Sequence, residues 1–312
     1  MGDNFRPCFI KKAIILLMTR GDKMLLGQTI INGLMIGGVY ALIAVGLTII
    51  FGVMKIVNFA QGEFLMVGMY VTWLLYKAIG GSPYLLIAPV IIIMFIFGLL
   101  LYKIIVKPVV GKGDTAYILL TVGLSLFLQN VVQLIFGANY FSIETAIKTE
   151  SIQLGDVSLL LPRLVAFIGA IIMVGGLHLF LKKTDVGKAM RATAESSQIA
   201  CLLGINPSKS FAIAFAIGVV MAGMAGVLLT PMFYVYPRVG QLFGLTAFVV
   251  VVLGGLGNIT GALFGGLIIG LVEAFTASYV ALDLAPVGTF VVFLLVLLLK
   301  PEGIFGGGVR RT

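Results

Sequence analysis

Lys182-Lys-Thr-Asp-Val-Gly-Lys-Ala-Met-Arg-Ala-Thr-Ala-Glu-Ser-Ser-Gln-Ile-Ala-Cys-Leu-Leu-Gly-Ile-Asn-Pro-Ser-Lys209 is a polar stretch inside a chain that is otherwise apolar enough for lipid. It carries Lys182, Lys183, Lys188, Arg191 and Lys209 against Asp185 and Glu195. Its order is readable. Thr184 or Asp185 can cap a helix N-terminus, because a short side-chain oxygen accepts from the unpaired backbone N–H groups there. Gly204 stops the helix, and Pro207 is a second breaker just beyond. Lys188, Arg191, Glu195 and Gln198 fall at helical spacing on one face, with Ala192, Ile199 and Leu203 on another. The expectation is one amphipathic helix, Val186–Leu203, between two membrane-embedded halves, on which something docks.

Working outward, the 312 residues are 60% apolar and 11% charged. A soluble chain carries about a quarter charged residues, so a soluble two-domain protein is excluded. Apolar runs able to cross roughly 30 Å of hydrocarbon recur along the whole length. The formal net charge of +9 does not point to nucleic acid. Basic residues collect in the cytoplasmic loops of membrane proteins, and a chain with few acids then looks basic. Cys8 and Cys201 form no Cys-x-x-Cys or disulfide framework, and no metal-ligand set is present.

Nine apolar segments are expected as helices: Gln28–Gly52, Glu63–Ala78, Tyr84–Val106, Thr115–Gly137, Pro162–Leu181, Ser210–Thr230, Leu242–Leu253, Gly261–Ala281 and Leu284–Leu299. Only helices and closed barrels satisfy their backbone in lipid, and these runs lack the alternation of barrel strands. The fold class is an all-α polytopic membrane bundle of about eight to ten transmembrane helices with discontinuous segments. If residues 182–209 are cytoplasmic, Lys55, Lys103, Lys107, Lys112, Lys300, Arg310 and Arg311 also fall inside, and the loop 138–161, with Glu144, Glu150 and Asp156, falls outside. Residues 1–23, with Arg6, Lys11 and Lys12, fit this pattern poorly. They read as an N-terminal extension, either interfacial or produced by a start upstream of Met24. The alternative keeps them inside and lets Gln28–Ala78 re-enter the membrane with broken helices.

Gly33 and Gly37, Gly261 and Gly265, and Gly266 and Gly270 are each four apart, a spacing that lets helices approach closely in lipid. Two weak points combine helix breakers with polar residues. One runs from Gly52 through Lys55, Asn58, Gln61 and Gly62 to Glu63. The other is Gly254-Gly255-Leu256-Gly257-Asn258-Ile-Thr-Gly261. Interrupted segments in both halves point to a transport site, while a short loop and a tight turn are the plainer reading. Gln129 and Asn130 lie inside an apolar segment, either bonding neighbouring helices or lining a path. An intramembrane serine protease is a weaker reading. It rests on Ser125 in Gly123-Leu-Ser125-Leu and on the lone His178, which lie on separate segments.

Several motifs, in order, resemble the branched-chain amino acid permease family of ABC importers. They are Gly46-Leu-Thr-Ile-Ile-Phe-Gly-Val-Met-Lys-Ile-Val-Asn-Phe-Ala-Gln-Gly-Glu63, Arg191-Ala-Thr-Ala-Glu195 followed by Leu203-Gly-Ile205, Val252-Leu-Gly-Gly-Leu-Gly-Asn-Ile-Thr-Gly-Ala262, and Leu298-Leu-Lys-Pro-Glu-Gly-Ile-Phe-Gly306. The first resembles the shorter, first permease subunit. The resemblance implies a permease domain over residues 24–312 with a cytoplasmic coupling loop at 182–209, in a prokaryotic plasma membrane. It implies four kinds of partner: a second related permease, two cytoplasmic ATP-binding subunits, an external amino-acid-binding protein and membrane lipid. Lys188, Arg191, Glu195, Gln198, Gly204 and Ile205 would couple to the ATPase.

The expected function is therefore a non-enzymatic subunit of an ATP-driven importer for branched-chain or other hydrophobic amino acids, working by alternating access. The chain has no Gly-x-x-x-x-Gly-Lys-Ser/Thr loop, so hydrolysis falls to its partners. No cofactor is expected. The expected substrate path comprises Asn58, Gln61, Gln129, Asn130 and Asn258, with helix breaks at Gly52, Gly62, Gly254, Gly255 and Gly257. A sugar-importer permease and a free-standing secondary transporter are the competing readings.

Overall fold

The computed structural model describes residues 20–306, apart from 146, 147, 149, 155 and 156. Of the N-terminal extension, residues 1–19 lie outside the described residues. In chain order the elements are α1 (Arg20–Met54), α2 (Gln61–Ile79), α3 (Ile87–Leu101), α4 (Asp114–Phe136), β1 (Ser151–Leu154), β2 (Val157–Leu160), α5 (Leu161–Lys183), α6 (Asp185–Glu195), α7 (Ser197–Leu202), α8 (Pro207–Leu229), α9 (Val239–Gly254), α10 (Ile259–Tyr279) and α11 (Ala285–Leu299). Each expected apolar segment is a helix. Seven are long and apolar enough to cross a membrane. The other two are α2 and the 16-residue α9. The protein is an all-α polytopic membrane bundle.

The bundle has two distinguishable ends. At the hairpin end, β1 and β2 pair antiparallel with Ser151 opposite Leu160. Gln28 of α1 donates to the Ser158 carbonyl (2.6 Å) and accepts from its N–H (3.0 Å). Tyr76, near the close of α2, donates to the Glu144 carbonyl (2.6 Å). At the basic end lie α6, α7 and the connections that carry Lys55, Lys107 and Lys300.

The core sits on α1 and α8, which are buried over most of their circumference. Helices apolar all round belong at the centre of a bundle. Glycine makes that packing possible. A β-carbon on Gly37 would stand 2.8 Å from the Gly266 carbonyl oxygen of α10, and one on Gly68 of α2 would stand 2.5 Å from Gly223 Cα of α8. In lipid such close contact supplies the dispersion energy that water-driven burial supplies elsewhere.

The expected single helix Val186–Leu203 is two helices. Thr184 caps α6, its hydroxyl accepting from Gly187 N–H at 3.0 Å. The chain then leaves helical geometry at Ser196, whose φ is −155°. The Ser196 hydroxyl accepts from Ile199 N–H at 3.3 Å and starts α7 afresh. A serine side chain that competes for backbone N–H groups is the physical reason for this break. Gly204, with φ +81°, ends α7. Its N–H reaches the Cys201 carbonyl and that of Ile205 reaches Ala200, the paired bonds of a glycine-terminated helix.

Candidate functional site

The site begins where α1 ends. Lys55 has φ 58°, the only positive φ outside glycine among the described residues. That turn sends residues 56–60 back into the bundle. Gln61 then donates to the carbonyls of Ile43 (3.4 Å) and Gly218 (3.2 Å), both deep within their helices. α2 therefore starts in the middle of the bundle. Its first turn meets the first turn of α9, because Gly62 lies against Gly240 and Gly244 without side chains between them. From this meeting point α2 runs to the hairpin end. α9 runs to the basic end, where the Leu253 carbonyl accepts from Ile304 N–H at 2.7 Å. Two helix N-termini, each with partial positive charge and unpaired N–H groups, thus converge inside the protein.

Polar side chains gather around this point. Asn58, Gln61 and Glu63 are each only 2% exposed. The Asn58 carboxamide oxygen accepts from Ala60 N–H at 3.1 Å. On α4, Thr121, Ser125 and Gln129 recur every fourth residue and form one polar stripe. The Thr121 hydroxyl reaches the Val57 carbonyl (3.4 Å), and Ser125 donates to Glu63 Oε1 (3.3 Å). Gln129 Oε1 accepts from Gln241 of α9 (3.4 Å). Asn58 Nδ2, Gln61 Oε1, Glu63 Oε2 and Gln129 Nε2 are buried without a hydrogen-bond partner among the described residues. An unsatisfied buried polar atom costs about 1–3 kcal/mol, and these four around the two helix starts make this zone the candidate site.

Aromatic rings bound this polar zone. Phe59 stacks on Phe248 at 5.8 Å on the side of the basic end. Tyr70, Trp73, Phe136 and Phe141 cluster towards the hairpin end, with Trp73 and Phe141 at 4.2 Å. This contact zone between α2, α4 and α9, the groove, has polar side chains in its middle and aromatic rings on either side.

The other residues singled out by sequence stand apart. Asn130 is exposed and donates to the Leu126 carbonyl of its own helix (2.7 Å). Asn258 caps α10 through Gly261 N–H (3.0 Å) and donates to the Phe305 carbonyl (2.8 Å), pinning the C-terminal segment. Gly254, Gly255 and Gly257 form the tight turn between α9 and α10, the latter two with positive φ. Gly52 sits in α1 opposite Gly257. The second helix that starts inside the bundle is at Val239, ahead of the expected break at 254–261. Lys188, Arg191, Glu195 and Gln198 all face outward at the basic end. Gly204 is exposed and Ile205 half-buried beside them. Ser125 has Glu63 as its partner, and His178 lines an apolar groove between α5 and α10.

Glu63, Thr121, Ser125 and Gln241 join this polar cluster although the expected path did not include them. The polar stripe on α4, three residues at a spacing of four, was a readable signal for two of them. Gln241 carried none, because nothing local tells which helix it faces.

A helical bundle with seven helices able to cross a membrane, and with two helix starts and unpaired polar groups at its centre, has the architecture expected of a membrane transport protein. The family model described as "Branched-chain amino acid transport system / permease component" matches residues 29–299, and the chain belongs to that family. It is 35% identical to the high-affinity branched-chain amino acid transport system permease protein LivH of Salmonella typhimurium, with 89% of this chain and 95% of that protein aligned. It is 34% identical to the corresponding protein BraD of Pseudomonas aeruginosa over the same shares. The probable branched-chain amino acid transport permease protein LivH of Methanocaldococcus jannaschii is 31% identical, with 94% and 95% aligned. No solved structure matches significantly. The protein is a multi-pass component of the plasma membrane and a subunit of a transport system.

Proposed function

We propose that this chain is the permease subunit of an ATP-driven importer for branched-chain or other hydrophobic amino acids. The observation that carries the reading is the convergence of the α2 and α9 first turns on Asn58, Gln61, Glu63 and Gln129, all buried and each with an atom left unpaired. Helix N-termini in the interior of a transporter favour an anionic substrate group, and amides bind a zwitterion's ends without the strong charge that would block release. Asn58, Gln61 and Gln129 line the path, with Glu63 and Ser125 beside them. Asn130, exposed on α4, faces the second permease. Asn258 holds the α9–α10 turn.

The distribution of lysine and arginine puts the basic end in the cytoplasm. There Lys188, Arg191, Glu195 and Gln198 present an exposed polar surface beside Ile199, Leu202 and Leu203, which are 60%, 86% and 74% exposed. Large apolar side chains left in solvent next to charges suit a protein partner. The partner is one of two ATPase subunits, and Gly204 and Ile205 mark the end of the lever it moves. A second permease completes the path, and an external binding protein delivers the amino acid.

The test is uptake of labelled leucine in cells with the partner ATPase genes deleted. Loss of uptake supports the reading. Uptake that persists, and collapses instead with the proton gradient, establishes a secondary transporter. Ribose uptake without leucine uptake would establish a sugar-importer permease.

A further inference from the structure

A second cavity, of about 630 Å³, lies between α1, α5, α9, α10 and α11 towards the hairpin end. Its walls are mostly apolar, including Ile36, Phe233, Phe243 and Val249, but Arg163 and Glu273 also line it. Both stand in membrane-spanning helices. Arg163 is the third residue of α5, near the membrane surface, whereas Glu273 lies inside α10, where an ionised side chain costs up to about 2.5–3.5 kcal/mol on insertion scales and is a functional candidate by default. Mutual neutralisation does not explain them. The sole ion pair among the described residues joins Lys188 and Asp185, so Arg163 and Glu273 share a cavity without closing on each other. Tyr40 lies beside the Glu273 carboxyl, and Asn32 and Thr246 add further polar atoms. The volume lies within the range of small-ligand sites. None of its lining residues belongs to the groove between α2, α4 and α9.

We infer that this cavity binds a zwitterion on an apolar body, with its anionic group on Arg163 and its ammonium on Glu273. A planar guanidinium suits a carboxylate or a phosphate, and a carboxylate suits an ammonium. Two sources carry this chemistry, a free apolar amino acid and an ethanolamine phospholipid. In its amino-acid arm the inference rests on the proposed function and makes the cavity a second cargo station. In its lipid arm it stands alone.

The experiment uses the full chain in nanodiscs. One arm measures binding of radiolabelled L-leucine, with isovalerate and 3-methylbutylamine as competitors carrying one charge each. The other uses native mass spectrometry to count bound phosphatidylethanolamine against phosphatidylglycerol. One of the two zwitterions is expected to bind, and Arg163→Gln and Glu273→Gln each to weaken it by about thirtyfold or more, as for truncation of one charged partner. Arg163→Lys retains most of the binding. Single-charge competitors are poor against the native chain, and Arg163→Gln no longer separates leucine from 3-methylbutylamine. Should a charge variant fail to fold, Thr246→Trp fills the cavity and abolishes the same binding. Leucine binding by these variants is measured in a Gln61→Leu/Gln129→Leu background that removes the proposed path. Zwitterion binding that survives the cavity-filling variant, or that is unchanged in both charge variants, overturns the inference, as does binding of neither zwitterion or equal retention of phosphatidylglycerol with no leucine bound. Uptake without an ATPase would overturn the importer reading and leave this result untouched.

Discussion

The Ser125 hydroxyl donates to Glu63 Oε1 at 3.3 Å, tying the middle of α4 to the first turn of α2. It is the sole hydrogen bond to the Glu63 side chain among the described residues, and Oε2 has none. Replacing Ser125 by alanine removes that bond and should cost about 1–3 kcal/mol of stability, read as a lower melting midpoint in detergent. Leucine uptake per folded molecule should persist. Complete loss of uptake with the protein still folded would instead place the Ser125 hydroxyl in the transport path itself.

The amides of the groove should separate from those outside it. Gln129→Leu removes an amide that meets Gln241 of α9, and Gln61→Leu removes one that bonds the α1 and α8 backbones at the start of α2; each should cut leucine uptake at least about tenfold, equivalent to 1.4 kcal/mol. Asn130→Ala should leave the stability of the isolated chain unchanged, because that side chain is exposed and bonds only within α4. Asn258→Ala removes a helix cap worth about 1 kcal/mol and should lower stability before it alters uptake. Uptake equal to wild type in both leucine variants would remove the groove from the transport path.

Glycine positions offer a paired test of packing. A β-carbon at Gly68 would sit 2.5 Å from Gly223 Cα, whereas one at Gly123 would meet nothing within 4 Å. Gly68→Val should abolish folded protein on fluorescence-detected size exclusion. Gly123→Ala should fold normally and gain about 0.5–1 kcal/mol, because glycine is costly inside a helix. Similar elution profiles for the two variants would contradict the helix spacing described above.

Exposed Cys201 on α7 reports both orientation and docking. In a Cys8→Ser background, a membrane-impermeant maleimide should label Cys201 in inverted vesicles and not in intact cells. Addition of the ATPase subunits should slow that labelling several-fold. Labelling from the outside of intact cells would reverse the orientation drawn from the basic residues.

Combined alanine replacement of Lys188, Arg191, Glu195 and Gln198 should abolish substrate-stimulated ATP hydrolysis in the assembled complex while the chain stays folded. All four face outward, so their removal leaves the packed face, Gly187, Met190 and Thr193, untouched. Unchanged stimulation would remove this surface from coupling. Gly204→Ala tests the lever's end separately. Its φ of +81° strains any side chain, and destabilisation by about 1 kcal/mol or more is expected.

Much of the fold was legible in the amino-acid sequence. Each of the nine apolar segments became a helix, because a backbone in lipid has few other ways to satisfy its polar groups. The pairs Gly33 and Gly37, and Gly266 and Gly270, proved to pack α1 against α10. Legibility failed where two local signals competed. Residues 186–203 have helical periodicity throughout, yet Ser196 captures a backbone N–H and divides them into α6 and α7. The interior start of α9 was also hidden, since Gly240 and Gly244 look like ordinary small residues until Gly62 lies against them.

The sequence by itself determined the membrane class, the helical architecture, the family motifs and the polar segment at 182–209. These follow from hydropathy, helical periodicity and chain order, which are properties of neighbours along the chain. Only the tertiary structure decided that Asn58, Gln61, Glu63, Ser125, Gln129 and Gln241 meet, and that Arg163 and Glu273 line one cavity. The physical reason is rotation and depth. Which face an apolar helix turns inward, and how far the chain climbs back after Lys55, are fixed by glycine contacts between segments up to about 240 residues apart.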